Sequence, residues 1–480
     1  MKRYEALAGE IANSIHIGVL RPGDRLPSVR HTSASRQVSP STVFKAYEVL
    51  EAQGLIRARA RSGYYVTSSA RQFPPELDNP SHPQDGAFAV DISDGVFDVF
   101  QSTLSHAAIP LGSAFPSPLL FPMDRLGQQL ASSVQRMDPW SAIDDVTPGN
   151  ADLRRQIALR YLDEGVHVHT DEIIITNGAL EALNLCLAAV TGPGDAIVVE
   201  SPTFYPALQS LERLGLEAIE VQTHPREGID LNALESALTR HRPKACWLMT
   251  NFQNPLGSLM PDEKKRELVQ LLSRHHVPLI EDDVYGELYF GDKRPASAKS
   301  FDTEGIVMHC SSFSKSLAPG YRIGWTAPGR YFKSVARHKL MTTFSTATPT
   351  QLAIAAYLEK GRYDKHLRKL RTTLASQQAV FTQALGHYFP EGTRATRPSG
   401  GYCVWVELPA EADAMQIHEQ AMSLGISIAP GPIFSAKRAF KNCLRLNYGH
   451  AWDQRTEQAL ATLGRLAGAH QRYATKATFP

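Results

Sequence analysis

From about residue 172 onward, short apolar runs alternate with helical stretches, and this alternation constrains the fold more than any other feature of the sequence. The runs cover residues 172–176, 196–200, 218–223, 245–250, 277–281 and 306–311. Such alternation is typical of a mainly parallel sheet covered by helices. We therefore predict an α/β domain. Because ligands bind beyond the carboxyl ends of the strands in these sheets, we expect a site there.

Residues able to do chemistry follow these runs directly. They are a small-residue turn at 177–179 that opens a helix at Leu180, then Phe204, Asn254, Asp282, Tyr285, Ser312, Ser314, Lys315 and Arg322. A small-residue turn into a helix offers backbone N–H groups to a phosphate. A lysine can form a Schiff base with an aldehyde, and a carboxylate can keep a pyridine nitrogen protonated. An aromatic ring can stack on the cofactor, and Ser and Arg side chains can hold its phosphate. The set suits pyridoxal 5′-phosphate.

The N-terminal segment has a different pattern. Helical spacing predicts a helix over residues 2–17, a second from Ser28 to about Gln37, and a third from Ser39-Pro40 to Gln53. Residues 55–60 and 64–67 then predict a two-stranded ribbon. This order is that of a winged helix-turn-helix. Residues 1–71 also carry eleven Lys and Arg against five Asp and Glu, while the rest of the chain carries 39 against 43. A basic end on a mildly acidic body indicates a polyanionic partner.

Duplex DNA fits the side chains around the third helix. Hydroxyls at its start can reach phosphates or base edges, and nearby cations supply salt-dependent affinity. The candidate residues are Ser39, Ser41 and Thr42 at the helix start, Arg30, Arg36 and Lys45 beside it, and Arg59 on the wing. There are two alternatives to DNA binding: the basic residues cluster by chance on a solvated face, or the head docks onto a protein.

This segment also resembles the GntR family of bacterial regulators. The matching motifs are Gly18-x-Leu20-x-x-Gly23-x-x-Leu26-Pro27-Ser28-x-Arg30, Val38-Ser39-x-x-Thr42-Val43-x-x-Ala46-Tyr47-x-x-Leu50, Gly54-Leu55-Ile56 and Gly63-x-Tyr65-Val66. The resemblance implies that Arg30, Ser39, Ser41 and the wing around Gly63 contact DNA.

The region that follows is rich in Pro, Ser and acidic residues, which predicts a linker that belongs to no core. We therefore divide the chain into a winged helix-turn-helix head (1–68), a linker (69–87) and a body (88–480). In the body, we expect a large part over about 150–330 and a small C-terminal α+β part over about 331–480.

The body resembles the fold type I pyridoxal-phosphate aminotransferases. The matching motifs are Asn254-Pro255-x-Gly257, Asp282-x-x-Tyr285 and Ser312-x-Ser314-Lys315-x-x-x-Pro319-Gly320-x-Arg322. By this resemblance, Lys315 would form the Schiff base, Asp282 would pair with the ring nitrogen, and Lys315, Asp282 and Tyr285 would be the catalytic residues. Tyr285 and Asn254 would bind the ring hydroxyl, and Phe204 would stack on the ring. The phosphate would be held by Ala179, Leu180, Ser312, Ser314 and Arg322. Arg445, in a strand-like run, would bind a substrate carboxylate.

Other site classes have little support. The five cysteines are far apart, so a disulfide scaffold or a cysteine zinc site is not expected, and the histidines are too sparse for a metal site. No apolar stretch is long enough for a membrane span, so we expect a cytoplasmic protein without a membrane partner.

A GntR-like head on an aminotransferase-like body is the pattern of the MocR family of transcription regulators. The resemblance implies a homodimer that binds a DNA operator and responds to a small amino compound. The alternative is a working aminotransferase that transfers an amino group to a 2-oxo acid and carries an accessory head.

Overall fold

The computed structural model describes residues 3–16, 19–21, 23–52, 55–59, 62–66, 73–103, 108–140 and 146–477. Within these ranges, three helices and a two-stranded ribbon form the head. They are α1 (Arg3–His16), α2 (Val29–Arg36), α3 (Pro40–Ala52), β1 (Ile56–Arg59) and β2 (Gly63–Val66). Ser28 caps α2 by accepting the N–H of His31, and Ser39 accepts the N–H of Thr42 at the start of α3. The predicted winged helix-turn-helix is confirmed.

Tyr47 fixes the angle between α2 and α3. Its hydroxyl donates to the carbonyl of Pro27 at 2.8 Å, so Thr32 is the donor in the 2.8 Å contact between Thr32 and Tyr47. Val43 and Leu50 lie in the same buried cluster. This packing leaves Ser39, directly before α3, and Ser41, in its first turn, exposed.

Part of the segment predicted as a linker packs onto the body. Leu77 is buried in the main core, and its N–H donates to the carbonyl of Ala395 at 3.0 Å. Glu76 accepts two 2.6 Å hydrogen bonds from Arg226. The prediction that residues 69–87 belong to no core is therefore wrong for this stretch, because its composition conceals one apolar anchor. Residues 69–72 lie outside the described residues.

The body contains strands and helices in alternation. Its strands are β3 (Phe88–Ala89), β4 (Ile109–Pro110), β5 (Ile174–Thr176), β6 (Ala196–Ser201), β7 (Glu217–His224), β8 (Gly228–Ile229), β9 (Ala245–Leu248), β10 (Leu279–Asp282), β11 (Val307–Ser312), β12 (Gly324–Ala327), β13 (Arg394–Ala395), β14 (Cys403–Glu407), β15 (Ile426–Ser427), β16 (Ala429–Pro430) and β17 (Cys443–Asn447). Its helices are α4 (Ser93–Thr103), α5 (Met123–Gln135), α6 (Ala151–Asp163), α7 (Ala179–Val190), α8 (Tyr205–Leu214), α9 (Leu231–His241), α10 (Asp262–His275), α11 (Phe332–Thr342), α12 (Thr348–Glu359), α13 (Arg362–Tyr388), α14 (Ala414–Ser423) and α15 (Gln454–Ala477). None of the helices in the described ranges is long and apolar enough to cross a membrane.

The large sheet has nine strands in the described part of the chain, in the order β3-β7-β6-β9-β10-β11-β12-β5, with β8 beside β7. Strands β7, β6, β9, β10 and β11 are parallel, and β12 and β5 are antiparallel to their neighbours. Ile197, Ile280 and Met308 are buried in the same core cluster as α7. The predicted mainly parallel sheet is confirmed, and it brings the carboxyl ends of β6, β9, β10 and β11 to one edge.

The small C-terminal part is built on an antiparallel sheet in the order β13-β14-β17-β16. Strand β4 lies far away in the sequence but pairs with β15, with Ile109 opposite Ile426. The chain around residues 109–117 is therefore attached to the small part, and it runs from there across the edge of the large sheet.

The Tyr47→Phe substitution should loosen the head, because it leaves the Pro27 carbonyl and the buried Thr32 hydroxyl without their partner. The expected loss is about 1–3 kcal/mol of local stability. Hydrogen exchange of the full chain should show faster exchange in α2 and α3, with the body unchanged. Tyr64→Phe alters a neighbouring, partly exposed ring and is the matched control; equal effects of both variants would contradict the role of Tyr47.

Candidate functional site

A cavity of about 210 Å³ lies beyond the carboxyl ends of the central strands. Nine of the ten residues predicted to bind a cofactor line it: Ala179, Leu180, Phe204, Asp282, Tyr285, Ser312, Ser314, Lys315 and Arg322. The tenth, Asn254, contacts this set through Tyr285. Residues spread over more than 140 positions of the sequence thus meet in one place.

Lys315 lies three residues beyond β11. Its Nζ donates to the carbonyl of Ala114 at 2.7 Å and lies 3.5 Å from the centroid of the Phe115 ring. Burial, and to a smaller extent Arg445 and Arg322, lower the pKa of Lys315 to about 7. A large fraction of this amine is therefore neutral near pH 7, which is the form that attacks an aldehyde.

Asp282 ends β10 and is buried. Neither carboxylate oxygen has a hydrogen-bond partner among the described residues. Burial and the adjacent Asp283 raise the pKa of Asp282 to about 7, although the nearby N–H of Val284 and the amine of Lys315 oppose this rise. The N–H of Val284 is near but makes no full hydrogen bond to either oxygen, and such a buried carboxylate is costly, so the site fits a ligand that brings a cationic N–H, such as a protonated pyridine.

Tyr285, Asn254 and Arg445 form a connected series at the side of the cavity. Asn254 donates to the Tyr285 hydroxyl at 3.3 Å, and Arg445 donates to the Asn254 carbonyl oxygen at 3.3 Å. Burial raises the pKa of Tyr285 well above its ordinary value, so the phenol keeps its proton. Arg445 is buried on β17, and its Nε is unpaired within the described structure. The small part thus supplies one guanidinium that can receive a carboxylate.

The start of α7 forms a cradle with the loop after β11. Gly178 has φ +84°, and a Cβ there would lie 2.5 Å from the Arg322 guanidinium. A Cβ on Gly324 would lie 2.5 Å from the Gly178 carbonyl carbon. The Ser314 hydroxyl is buried without a partner in the described residues. Helix N–H groups, a guanidinium and an unpaired hydroxyl together fit a phosphate.

One part of the site was not predicted from the sequence. The carbonyl of Gly112 accepts from Arg445, and the carbonyl of Ala114 accepts from Tyr402 at 2.8 Å as well as from Lys315. Phe115 forms part of the cavity wall. This segment lies about 200 residues before Lys315 and carries no local motif, so only the tertiary fold shows its position.

The predicted DNA-binding residues lie on the surface of the head. Arg30, Lys45, Arg59 and Gly63 are exposed. The Ser39 hydroxyl lies 2.9 Å from that of Ser41 and 2.8 Å from that of Thr42, so these three form one hydroxyl cluster at the start of α3. The Arg36 guanidinium pairs with Glu10 at 2.9 Å. Arg59 lies over the Tyr65 ring on the wing.

Comparison with known families matches both parts of the chain. Residues 3–66 match the bacterial regulatory proteins of the gntR family, and residues 146–463 match aminotransferase class I and II. The second match covers more than half of the chain, so the body belongs to that family.

Individual proteins similar to this chain include transcription regulators over nearly its whole length and aminotransferases over its body. The chain is 48% identical to YdcR of Escherichia coli (strain K12), an uncharacterized HTH-type transcriptional regulator, over 97% of this chain and 99% of that one. Among solved structures, the multiple substrate aminotransferase of Thermococcus profundus has a TM-score of 0.74 at 27% identity, over 79% of this chain and 96% of that one. A second solved structure is LysN, the α-aminoadipate aminotransferase of Thermus thermophilus, complexed with N-(5′-phosphopyridoxyl)-L-leucine. Its TM-score is 0.72 at 28% identity, over 78% of this chain and 95% of that one.

These findings confirm the fold and pyridoxal 5′-phosphate as the cofactor. They also confirm a DNA-binding head. The chain belongs to the MocR family, in which a GntR-type DNA-binding head is joined to an aminotransferase class I and II body.

Proposed function

We propose that this regulator senses a small amino compound at the cavity that contains Lys315, and that binding there changes how the head engages DNA. The observation that carries the proposal is the pairing, in one cavity, of a lysine with a lowered pKa and a buried carboxylate that lacks a donor. Pyridoxal phosphate, when bound, supplies an aldehyde that reacts with amines.

The predicted site residues have separate tasks in this proposal. The neutral amine of Lys315 binds the aldehyde, and Asp282 accepts the pyridine N–H. Tyr285 and Asn254 donate to the ring oxygen, and Phe204 covers one face of the ring. The phosphate lies at the start of α7, near Ala179 and Leu180, with Ser312, Ser314 and Arg322. Arg445 binds the carboxylate of the amino compound when it has one.

In this proposal, an amino compound bound at the cavity regulates DNA binding by the head. We propose a homodimer whose two heads contact two half-sites of an operator through Arg30, Ser39, Ser41, Thr42 and the wing, with Arg36, Lys45, Arg59 and Gly63 at the edges of the contact. An amino compound shifts the equilibrium between two arrangements only if it binds them with unequal affinity. Its effect on DNA affinity is therefore limited by that difference.

Amino-group transfer from the same cavity is a second candidate. The presence of Lys315, Asp282 and Arg445 together favours it, because the same three residues can bind an amino compound and can support transfer of its amino group. Steady transfer from an amino acid to 2-oxoglutarate would establish it. Exchange of one amino compound per cavity without turnover would favour sensing alone.

Replacing Lys315 with alanine should remove the visible absorbance of bound pyridoxal phosphate, because no other lysine lines the described cavity. The matched control is Lys333→Ala, at an exposed position of α11. The measurement is the visible spectrum of the purified protein, followed by borohydride trapping. Cofactor that can still be trapped in the Lys315→Ala variant would refute the assignment.

The uptake of pyridoxal phosphate by cofactor-free protein should accelerate as the pH rises. Because the pKa of Lys315 is lowered to about 7, the reactive neutral amine is a minor form at pH 6 and the main form at pH 8. The rate should rise about tenfold over this interval and then level off. A lysine with its ordinary pKa would give about a hundredfold rise that continues above pH 9. Stopped-flow absorbance distinguishes the two cases.

Arg30→Ala should weaken DNA binding and lower its salt dependence by about one unit of the log–log slope, because one phosphate contact is lost. The assay is binding to the DNA upstream of the gene at several salt concentrations. Arg213→Ala, on α8 of the body, is the control. An unchanged slope for Arg30→Ala would count against its contact with phosphate.

A further inference from the structure

A buried ionic network begins at the residue next to Asp282 and has no task in the proposed chemistry. Asp283 accepts hydrogen bonds from Arg294 at 2.7 Å and from Asn251 at 3.0 Å, and it lies 3.2 Å from Nε2 of His309. Although burial raises it, Arg294 and His309 hold the pKa of Asp283 well below its ordinary value. Because Asp282 and Asp283 are consecutive, a displacement of the backbone at one residue also displaces the other.

A series of polar contacts lies on the sheet side of Asp283. Trp325 donates to the Tyr161 hydroxyl at 3.0 Å, and that hydroxyl lies 2.6 Å from Nδ1 of His309. Nε2 of His309 donates to Asp283, and although burial lowers it, Asp283 raises the pKa of His309. Burial raises the pKa of Tyr161 well above its ordinary value, so the phenol keeps its proton. The series anchors Asp283 to β11, β12 and α6.

On its other side, Asp283 is connected to helix α13. Arg294 bridges Asp283 and Glu164, and its Nε lies 4.0 Å from Glu287. Glu287 accepts two hydrogen bonds from Arg160, at 2.7 and 3.0 Å.

Two residues of α13 complete this connection. Arg160 pairs with Asp364 at 3.2 Å. Arg371 lies 3.6 Å from the Glu287 carboxylate and donates to its backbone carbonyl at 2.9 Å. The charges therefore alternate from Asp283, the chain neighbour of Asp282, to the first three turns of α13.

Helix α13 also contacts the residue that follows Lys315. Tyr363 donates to the Ser316 hydroxyl at 2.6 Å, and Nε2 of His366 lies 2.8 Å from the Ser316 carbonyl. Arg160 stacks over the Tyr363 ring at 4.7 Å. The start of α13 thus contacts Ser316, the chain neighbour of Lys315, and is connected through the network to Asp283, the chain neighbour of Asp282.

The outer side of the same helix faces the head. Helix α3 lies against α13. Tyr4 and Val49 of the head line a cavity of about 1230 Å³ together with Arg368, Arg371 and Thr372 of α13. One helix therefore touches the surroundings of the cofactor at its start and the DNA-binding head on its exposed side.

We propose that α13 transmits the state of the cofactor cavity to the head, and that the network of Asp283, Arg294, Glu287 and Arg160 couples it to Asp282. Asp283, Arg294 and Glu287 are largely buried, so these charges have few alternative partners, and a shift at one end is passed on rather than absorbed locally. The inference rests on the proposed binding of pyridoxal phosphate at Lys315. Glu287 acts here as a positioning residue, since it does not line the cofactor cavity.

Hydrogen exchange of the full chain, with and without pyridoxal phosphate, tests this coupling. In the wild-type protein, the cofactor should slow exchange in residues 368–376 by about fivefold or more. Glu287→Gln keeps the size of the side chain and removes its charge. This variant should keep the visible cofactor band and lose most of the slowing in residues 368–376.

Glu76→Gln is a closely matched control. Glu76 has nearly the same exposure as Glu287, 16% against 15%, and it also accepts two hydrogen bonds from one arginine and has a second arginine 3.6 Å away. Its hydrogen bonds and ion pairs in the described structure go to Arg226 and Arg397, outside α13, so the Glu76→Gln variant should behave like the wild-type protein. If Glu287→Gln does not fold, Arg160→Lys tests the same connection, because lysine keeps the charge but cannot make the two-point contact.

The outcomes separate this inference from the proposed function. A wild-type protein without a visible cofactor band would overturn both. A normal band without slowing in α13, or with slowing that persists in the Glu287→Gln variant, would overturn the coupling and leave the cofactor site intact.

Discussion

The structure depends on a carboxylate, Asp282, that is buried at the end of a central strand without a hydrogen-bond donor to it among the described residues. Such a group lowers stability unless a ligand or a neighbour compensates it. The surrounding sheet tolerates it because the parallel strands on both sides are fully buried and fixed by α7 and α10. The same packing keeps Lys315 and the cradle at the start of α7 in position. The site is therefore formed before a ligand binds, at a cost in folding stability.

The sequence predicts the large sheet and most of the candidate site for a simple reason. Each central strand is a short apolar run, and the residues that carry chemistry follow it within a few positions, as Asp282 and Lys315 do. Strand β12 escaped prediction because its four residues, Gly324–Ala327, include a glycine and give no clear apolar run. The roles assigned to the individual site residues remain predictions.

Long-range contacts account for what the sequence could not show. Leu77 is a single apolar residue in a proline-rich stretch, and only its position beside Ala395 reveals that it is an anchor. Asp283 looks like a duplicate of Asp282 in the sequence, yet the strand directs the two carboxylates to different surroundings. The pKa of Asp283 is lower than that of Asp282 because Arg294 and His309 contact Asp283 from separate elements.

The pairing of β4 with β15 has a consequence for the lifetime of a bound compound. The backbone that touches Lys315 and Arg445 is held by Tyr402, directly before β14, and by Asn447 of β17, so it is part of a folded unit and not a loose loop. A motion of the small part therefore also moves one wall of the cavity. Such a collective motion changes how long a bound compound stays, in addition to the strength of its own contacts.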